Sequence, residues 1–359
     1  MNFDPTEEQG VVRELTAALV ASRNPAGRQW PDTQLWSALA EANLLGTSLP
    51  EDVGGSGLGI VDLGFVLTEC GRGLARVPLL YSSVAAIAVD RFGSQSQRRT
   101  WLPGVVDGST VLTVGIDFAE RGALPTARRD GEGWIVDGVV SFVPWAEQAD
   151  RILVAADSGN GTLLVLLDAQ ADGIETTAQS TTNGEPGSTV ILGQVTVVPD
   201  EVIAGPDPDH VAQQWVWQLL VAGASALLVG VCEGALRLTA DYTNEREQFG
   251  RVLATFQGVK LHAGQAFIDA EAIRVTTLQA LWRLDSRLPA EREVSIAKFW
   301  ASEGSARVTG VAQRLHGGIG VSLEYPVHRY LLWAKHTELR LGSAQWQLNR
   351  LGELLGASS

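Results

Sequence analysis

Basic residues are scarce in this sequence of 359 residues, and cysteine is nearly absent. The chain has 27 Lys and Arg against 41 Asp and Glu, so its formal net charge is −14 at pH 7. Because a protein that binds a phosphate backbone needs a basic surface, we expect no nucleic-acid partner. The two cysteines, Cys70 and Cys232, are too far apart in the sequence for a metal-binding or redox motif. This sparse cysteine usage favours a reduced, cytoplasmic setting.

Long hydrophobic runs are lacking as well. The longest largely apolar run covers residues 219–232, which is 14 residues, whereas a membrane-spanning helix needs roughly 20. The N-terminal sequence MNFDPTEEQG has neither a basic nor an apolar segment, so we expect no signal peptide. What remains is a globular composition, with 45% hydrophobic and 19% charged residues. At this length we expect two or three domains with a substantial core and no membrane partner.

The spacing of apolar residues changes twice along the chain. Residues 1–108 have helical spacing, and residues 109–203 contain short β-branched runs separated by glycine-rich turns. From residue 204 to residue 359, long helical stretches return. These stretches are 212–245, 256–284 and 291–315. The sequence therefore predicts an α+β protein of three domains: an N-terminal helical domain, a small central antiparallel β-domain and a C-terminal four-helix bundle.

Two motifs in the C-terminal half contain candidate binding residues. NEREQFG (244–250) includes Arg246 and Phe249, and Gln257 follows seven residues after its glycine. QRLHGGIG (313–320) includes a glycine turn. Taken alone, Arg246 is typical of a surface ion pair, and the glycines are typical of a turn between helices because glycine accepts positive φ. They do not follow a strand, so they are not a Rossmann loop.

Four segments, in order and at the same spacing, resemble the acyl-CoA dehydrogenase family. They are LWSALAEANLLGTSLPEDVGGSGLG (35–59), QRRTWLPGVVDG (97–108), NEREQFGRVLATFQGVKLHAGQAFIDAE (244–271) and QRLHGGIGVSLEYPVHRY (313–330). This family has the same helix–sheet–helix order. It binds FAD across a subunit interface, so the resemblance implies contacts with the adenosine and pyrophosphate of a neighbouring subunit's FAD. The residues implied are Arg246, Phe249, Gln257, Gln313, Gly317, Gly318 and Gly320. Guanidinium groups bind phosphate bidentately, and we expect His316 to pack or to contact the adenosine.

The residue that would act as catalytic base is missing. Enzymes of this family remove the α-proton of an acyl thioester with a glutamate, which occupies one of two known positions. Here those positions hold Leu220 and Leu341, and leucine cannot accept a proton. Glu338, three residues before Leu341, is expected to form a salt bridge. Glu233 is 13 residues after Leu220, about 20 Å along a helix.

The segments that hold the flavin ring in this family are also altered. GIDFAERGALP (115–125) lacks most of the Thr-Glu-Pro-Gly-x-Gly-Ser-Asp pattern, and Phe142-Val143-Pro144 replaces the usual Trp-Ile-Thr. Proline removes a backbone N–H donor together with the threonine hydroxyl. The residues that would serve the neighbouring subunit are thus retained, whereas those that would serve the chain's own flavin are lost.

The resemblance is greatest to the base-lacking chains of α2β2 acyl-CoA dehydrogenases that act in actinobacterial steroid side-chain β-oxidation. It implies a homologous catalytic partner, FAD as cofactor and a bulky acyl-CoA as substrate. Two alternatives stay open from the sequence. One is a homomeric flavoenzyme with an unidentified base, and the other is a flavin-free pseudoenzyme that acts as a scaffold.

Overall fold

The computed structural model describes residues 5–22, 31–116 and 123–356. The helices are α1 (Glu7–Ser22), α2 (Thr33–Glu41), α3 (Ile60–Arg72), α4 (Leu79–Phe92), α5 (Gln95–Val106), α6 (Val211–Glu245), α7 (Gln257–Asp285), α8 (Glu291–His316), α9 (Val327–Leu339) and α10 (Ala344–Gly356). The sheet strands are β1 (Leu112–Gly115), β2 (Thr126–Asp130), β3 (Gly133–Pro144), β4 (Arg151–Asp157), β5 (Thr162–Asp168), β6 (Ile174–Gln179), β7 (Gly187–Val197) and β8 (Val202–Asp207). A short hairpin of β9 (Glu247–Gln248) and β10 (Arg251–Val252) follows α6. The predicted order of helices, strands and helices is confirmed.

The described chain divides into two compact units. The first, here called the bundle unit, contains the described parts of Met1–Gln29, Ile60–Ala75 and Val221–Ser359. The second, here called the sheet unit, contains those of Trp30–Gly59 and Arg76–Leu220. The three-domain boundaries expected from the sequence stay a prediction.

The three long helical stretches expected in the C-terminal half coincide with α6, α7 and α8. Helix α1 begins directly after Thr6, where the acidic Glu7 and Glu8 suit a helix N-terminus. The backbone N–H of Gln9 donates to the Thr6 hydroxyl at 3.2 Å, and that of Thr6 donates to the Gln9 side chain at 3.0 Å. This reciprocal capping fixes where the helix begins.

The central sheet has the strand order β6-β7-β3-β2-β4-β5-β8, with β1 paired to β4. Most pairs are antiparallel as expected, but β1–β4 and β2–β4 are parallel, so the sheet is mixed. The spacing of apolar residues did not predict strands β2, β6 and β8. Their residues are largely polar or exposed, as in the edge strand IETTAQ, and they lack the apolar alternation that marks a half-buried strand.

Helix α6 is long and apolar enough to cross a membrane by length and composition, but 83% of its most apolar window is buried within the protein. It packs on α3 at very short range. A Cβ atom at Gly230 would lie 1.8 Å from the carbonyl oxygen of Thr68, and the Thr68 hydroxyl donates to the Ala226 carbonyl at 3.2 Å. Alongside, the buried Glu69 carboxylate binds Arg13 at 2.8 Å and Arg72 at 2.7 Å.

This close approach predicts that Gly230→Ala is strongly destabilising. The added methyl group has to displace helix backbone, and overpacking of this kind costs about 1–3 kcal/mol. Chemical denaturation of the isolated chain measures the loss. Gly352→Ala is the matched control, because its methyl group meets nothing within 4 Å and raises helix propensity by up to ~1 kcal/mol. Equal effects of the two changes would contradict the packing described.

Candidate functional site

The end of α6 leads directly into an exposed hairpin that carries predicted binding residues. Strands β9 and β10 pair with Gln248 opposite Arg251, which leaves Phe249 and Gly250 as a two-residue turn. Both turn residues have positive φ, +57° and +76°, as a type I′ turn requires. Phenylalanine seldom adopts this conformation, and here it carries a side chain that is 91% exposed.

A second aromatic ring and a guanidinium group lie beside Phe249. The ring centroids of Phe249 and Phe256 are 6.2 Å apart in an edge-to-face arrangement. The Cζ atom of Arg251 lies 3.9 Å from the centroid of Phe256. Arg246 is exposed at the start of the hairpin, and Gln257 is exposed at the first position of α7. Arg251 and Phe256 were not predicted from the sequence, although both lie within a few residues of predicted binding residues.

The predicted glycines form a short turn of 3-10 helix, Gly317–Val321, directly after α8. Gly317 has φ 60° and ψ −138°, a conformation that is strained for any other residue. A side chain at Gly317 or at Gly318 would meet nothing within 4 Å, so this face of the turn is open. Gly320 is buried beneath it, next to the backbone of Gln313.

A stacked pair of rings joins the hairpin to the glycine turn. Tyr242, near the end of α6, stacks on His316, the last residue of α8, with centroids 4.5 Å apart and an interplanar angle of 21°. The backbone N–H of Arg246 donates to the Tyr242 carbonyl at 2.9 Å. Arg246 and Gly317 therefore both emerge next to this contact. The two predicted groups of binding residues meet at one edge of the bundle unit.

Two buried acceptors at this edge are left unsatisfied by the chain's own described residues. His316 is 2% exposed, and its Nδ1 lies 2.8 Å from the Ala312 carbonyl oxygen. Because a carbonyl only accepts, Nδ1 carries the proton and Nε2 is a bare acceptor. The His316 Nε2 and the Gln313 Oε1 are both buried without a hydrogen-bond partner there. Burial also lowers the pKa of His316 below its ordinary 6.5, so the ring is neutral at pH 7.

Both positions at which this chain lacks an acid are buried. Leu220 in α6 is 1% exposed, and Leu341, after the end of α9, is 3% exposed with φ +57°. The neighbouring acids are engaged elsewhere. Glu338 binds the Lys335 ammonium at 2.8 Å, which confirms the expected salt bridge, and Glu233 forms an ion pair with Arg72. Neither carboxylate is therefore poised as a substitute base.

The turn that carries Leu341 is held by a buried lysine that sequence analysis did not single out. Lys298 is fully buried, and its ammonium donates to the Thr337 and Glu338 carbonyls, both at 3.0 Å. It thereby caps the C-terminus of α9, where a positive charge complements the helix dipole. The Gln347 side chain donates to the Leu341 carbonyl at 3.1 Å. No pattern revealed Lys298, because lysine is normally exposed.

The altered flavin-ring segment is built into the sheet unit. Val143 and Pro144 are buried at the end of β3, and the Pro144 carbonyl accepts a hydrogen bond from the Thr113 hydroxyl. The next residue, Trp145, is fully buried, and its indole N–H donates to Glu185 at 3.1 Å. These side chains are engaged in packing. Within the other altered segment, 115–125, residues 117–122 lie outside the described part of the chain.

Lys298→Met removes the α9 cap while preserving a straight side chain. The partly buried Thr337 carbonyl then loses this donor, and the Glu338 carbonyl keeps only the Ser302 hydroxyl at 3.3 Å, so we expect the free energy of unfolding to fall by about 1–3 kcal/mol. Lys335→Met is the control, because its ion pair with Glu338 is half-exposed and worth at most ~1 kcal/mol. Denaturant titration of both variants measures the difference. Indistinguishable losses would show that Lys298 contributes no more than a surface charge.

The buried His316 predicts a pH dependence. Its folded-state pKa lies below 6.5, so the unfolded chain takes up a proton first and stability falls as the pH drops below 6.5. The slope is at most ~1.4 kcal/mol per pH unit. His316→Phe retains a ring against Tyr242 but does not titrate. Its stability relative to wild type should therefore rise as the pH falls from about 7.5 to about 5.5. Parallel curves would refute this linkage.

Comparisons with known proteins identify the family that the sequence motifs resemble. Residues 6–109 match the model of the acyl-CoA dehydrogenase N-terminal domain, and residues 221–356 match that of the C-terminal domain. Acyl-CoA dehydrogenase FadE27 of Mycobacterium tuberculosis is 37% identical over 334 residues, which cover 90% of this chain and 88% of FadE27.

Two solved structures are similar over nearly the whole chain. The ChsE4–ChsE5 complex from Mycobacterium tuberculosis has a TM-score of 0.94 and 34% identity, covering 99% of each chain. A variant of the Tcur3481–Tcur3483 steroid ACAD has a TM-score of 0.91 and 37% identity, covering 98% of this chain and 99% of that one. The expected fold is confirmed, and the chain belongs to the acyl-CoA dehydrogenase family.

Proposed function

We propose that this chain is one subunit of a heteromeric, FAD-dependent acyl-CoA dehydrogenase and that a homologous partner supplies the catalytic base. One observation carries the proposal. Both base positions hold buried leucines, while Arg246, Phe249, Gln257, Gly317 and Gly318, which would bind a neighbouring subunit's FAD, are exposed. Loss of the base and retention of the outward-facing residues favour a division of roles between two chains.

The residues at this edge of the bundle unit fit the adenosine and pyrophosphate half of FAD. Arg246 offers charged donors for phosphate, Phe249 offers an exposed ring face for a base, and the open glycine turn accommodates a closely approaching ligand. When bound, FAD supplies the hydride acceptor for α,β-dehydrogenation of an acyl-CoA thioester. This chain's part is to bind and orient the cofactor.

At the two positions where this family carries its catalytic base, this chain has no residue that could remove the α-proton. A positioned base contributes about 10²–10⁴-fold to such a step, and leucine contributes none. Glu338 and Glu233 are held in ion pairs. In the proposed complex the partner's carboxylate takes the proton, and the partner also provides the pocket for the flavin ring.

The solved relatives support the heteromer and suggest the substrate class. ChsE4–ChsE5 is described as a complex, and the Tcur3481–Tcur3483 protein is described as a steroid ACAD. By similarity, we propose an α2β2 assembly that oxidises a bulky acyl-CoA, such as a steroid side-chain thioester. Loss of one of the two active sites in each pair of chains would leave room in the partner for a bulky polycyclic acyl group.

Co-expression with homologous acyl-CoA dehydrogenase chains from the same genome tests the proposal. The chain alone should purify with little flavin, whereas the complex should hold about one FAD per heterodimer and oxidise an acyl-CoA. Arg246→Gln in this chain should lower the FAD content of the complex, because it removes a charged phosphate donor.

Two other results would each contradict the proposed heteromer. A lone chain that binds stoichiometric FAD and oxidises acyl-CoA would establish a homomeric enzyme, and a complex without flavin would establish a scaffold. Leu341→Glu adds a carboxylate but not a flavin pocket, so the lone variant should stay inactive. Activity in that variant would show that only the base is missing.

A further inference from the structure

Arg251 is a second guanidinium group on the exposed hairpin, and neither the motif nor the proposed function assigns it a role. Gln248 lies directly opposite it in the hairpin register. Arg246 lies at the base of the hairpin, where its carbonyl accepts the backbone N–H of Leu253 at 2.8 Å. Arg246 and Arg251 are both exposed. The hairpin thus carries two exposed guanidinium groups, with Phe249 at its tip.

Within the described part of the chain, no carboxylate neutralises either guanidinium group, although the chain is rich in acidic residues. Neither Arg246 nor Arg251 has a carboxylate oxygen within 4.0 Å among the residues that the structure describes. In this chain of net charge −14, several other arginines are neutralised by two carboxylates each. Arg72, Arg98 and Arg307 each contact two carboxylates. A pair of free cations on one exposed hairpin therefore favours an anionic ligand from outside the chain.

The stacking of Arg251 suits it to bind a phosphate. Its Cζ lies 3.9 Å from the centroid of Phe256, so one face of the guanidinium is covered by the ring. Stacking uses the π-face of the group and leaves the N–H donors free around its edge. Phe256 in turn touches Phe249 edge to face. The ring that orients Arg251 is therefore part of the same surface that would receive the adenine.

We propose that Arg251 is a second phosphate-binding residue, which acts beside Arg246 on the pyrophosphate of a dinucleotide held by the partner subunit. The proposal rests on the proposed function. Two guanidinium groups on one hairpin match the two phosphates of the pyrophosphate, and the exposed Phe249 matches the adenine base. The hairpin therefore selects a dinucleotide diphosphate over a flavin mononucleotide, which has one phosphate and no adenine.

Titration of the flavin-free complex with FAD, followed by flavin fluorescence, tests this role. Arg251→Gln should raise the Kd for FAD by about tenfold, because one charged hydrogen-bonding group is lost. Arg251→Lys retains the charge but not the planar fork, so its effect should be smaller. Arg292→Gln is the control, because Arg292 is also exposed and lacks a carboxylate within 4.0 Å among the described residues.

The outcomes separate the two proposals. A wild-type complex that binds no FAD overturns both the proposed function and the role of Arg251. A complex that binds FAD with the same Kd in Arg251→Gln and in Arg292→Gln overturns the role of Arg251 alone. Thermal unfolding of the isolated variants identifies a merely structural effect. If Arg251→Gln unfolds at a markedly lower temperature than Arg292→Gln, and Arg251→Lys does not restore FAD binding, then Arg251 only supports the hairpin.

Discussion

The geometry of the proposed cofactor site depends on the stack of Tyr242 on His316. This contact joins the ends of α6 and α8, and the hairpin and the glycine turn follow directly after those two ends. Helix α6 is itself fixed farther back, where Gly230 lies against the backbone of Thr68 with no room for a side chain. The packing of Gly230 on Thr68 therefore fixes where α6 lies, and with it the position of the exposed edge at the end of α6.

Both base positions are buried, and burial decides which residue type is stable there. Burying a leucine side chain stabilises a protein by about 1.5–3 kcal/mol, whereas a buried carboxylate is costly unless it is paired. Leu220 and Leu341 are both nearly inaccessible, so leucine is the more stable choice wherever catalysis does not require an acid. Once a partner provides the base, the physical chemistry of the core therefore favours leucine at both sites.

Sequence periodicity was sufficient for the long helices and for the apolar strands, because each buries a stripe or a face whose spacing is visible in the sequence. It was insufficient for strands such as IETTAQ, whose pairing is decided by neighbours that lie far along the chain. The cofactor-binding motifs were found through family resemblance. Arg251, Phe256 and Lys298 were not, because their roles arise from three-dimensional contacts: a stacked ring and a capped helix leave no local signature.

Several features of the exposed edge are unfavourable for the chain by itself. Phe249 combines a left-handed backbone with an almost fully exposed ring, and a non-glycine residue in that region costs of order 1–3 kcal/mol. The unsatisfied acceptors of His316 and Gln313 add a further cost. None of these features improves the packing of the bundle unit. The exposed ring of Phe249 is the feature that a ligand or a second chain could cover, which agrees with the proposed binding of a neighbouring subunit's cofactor.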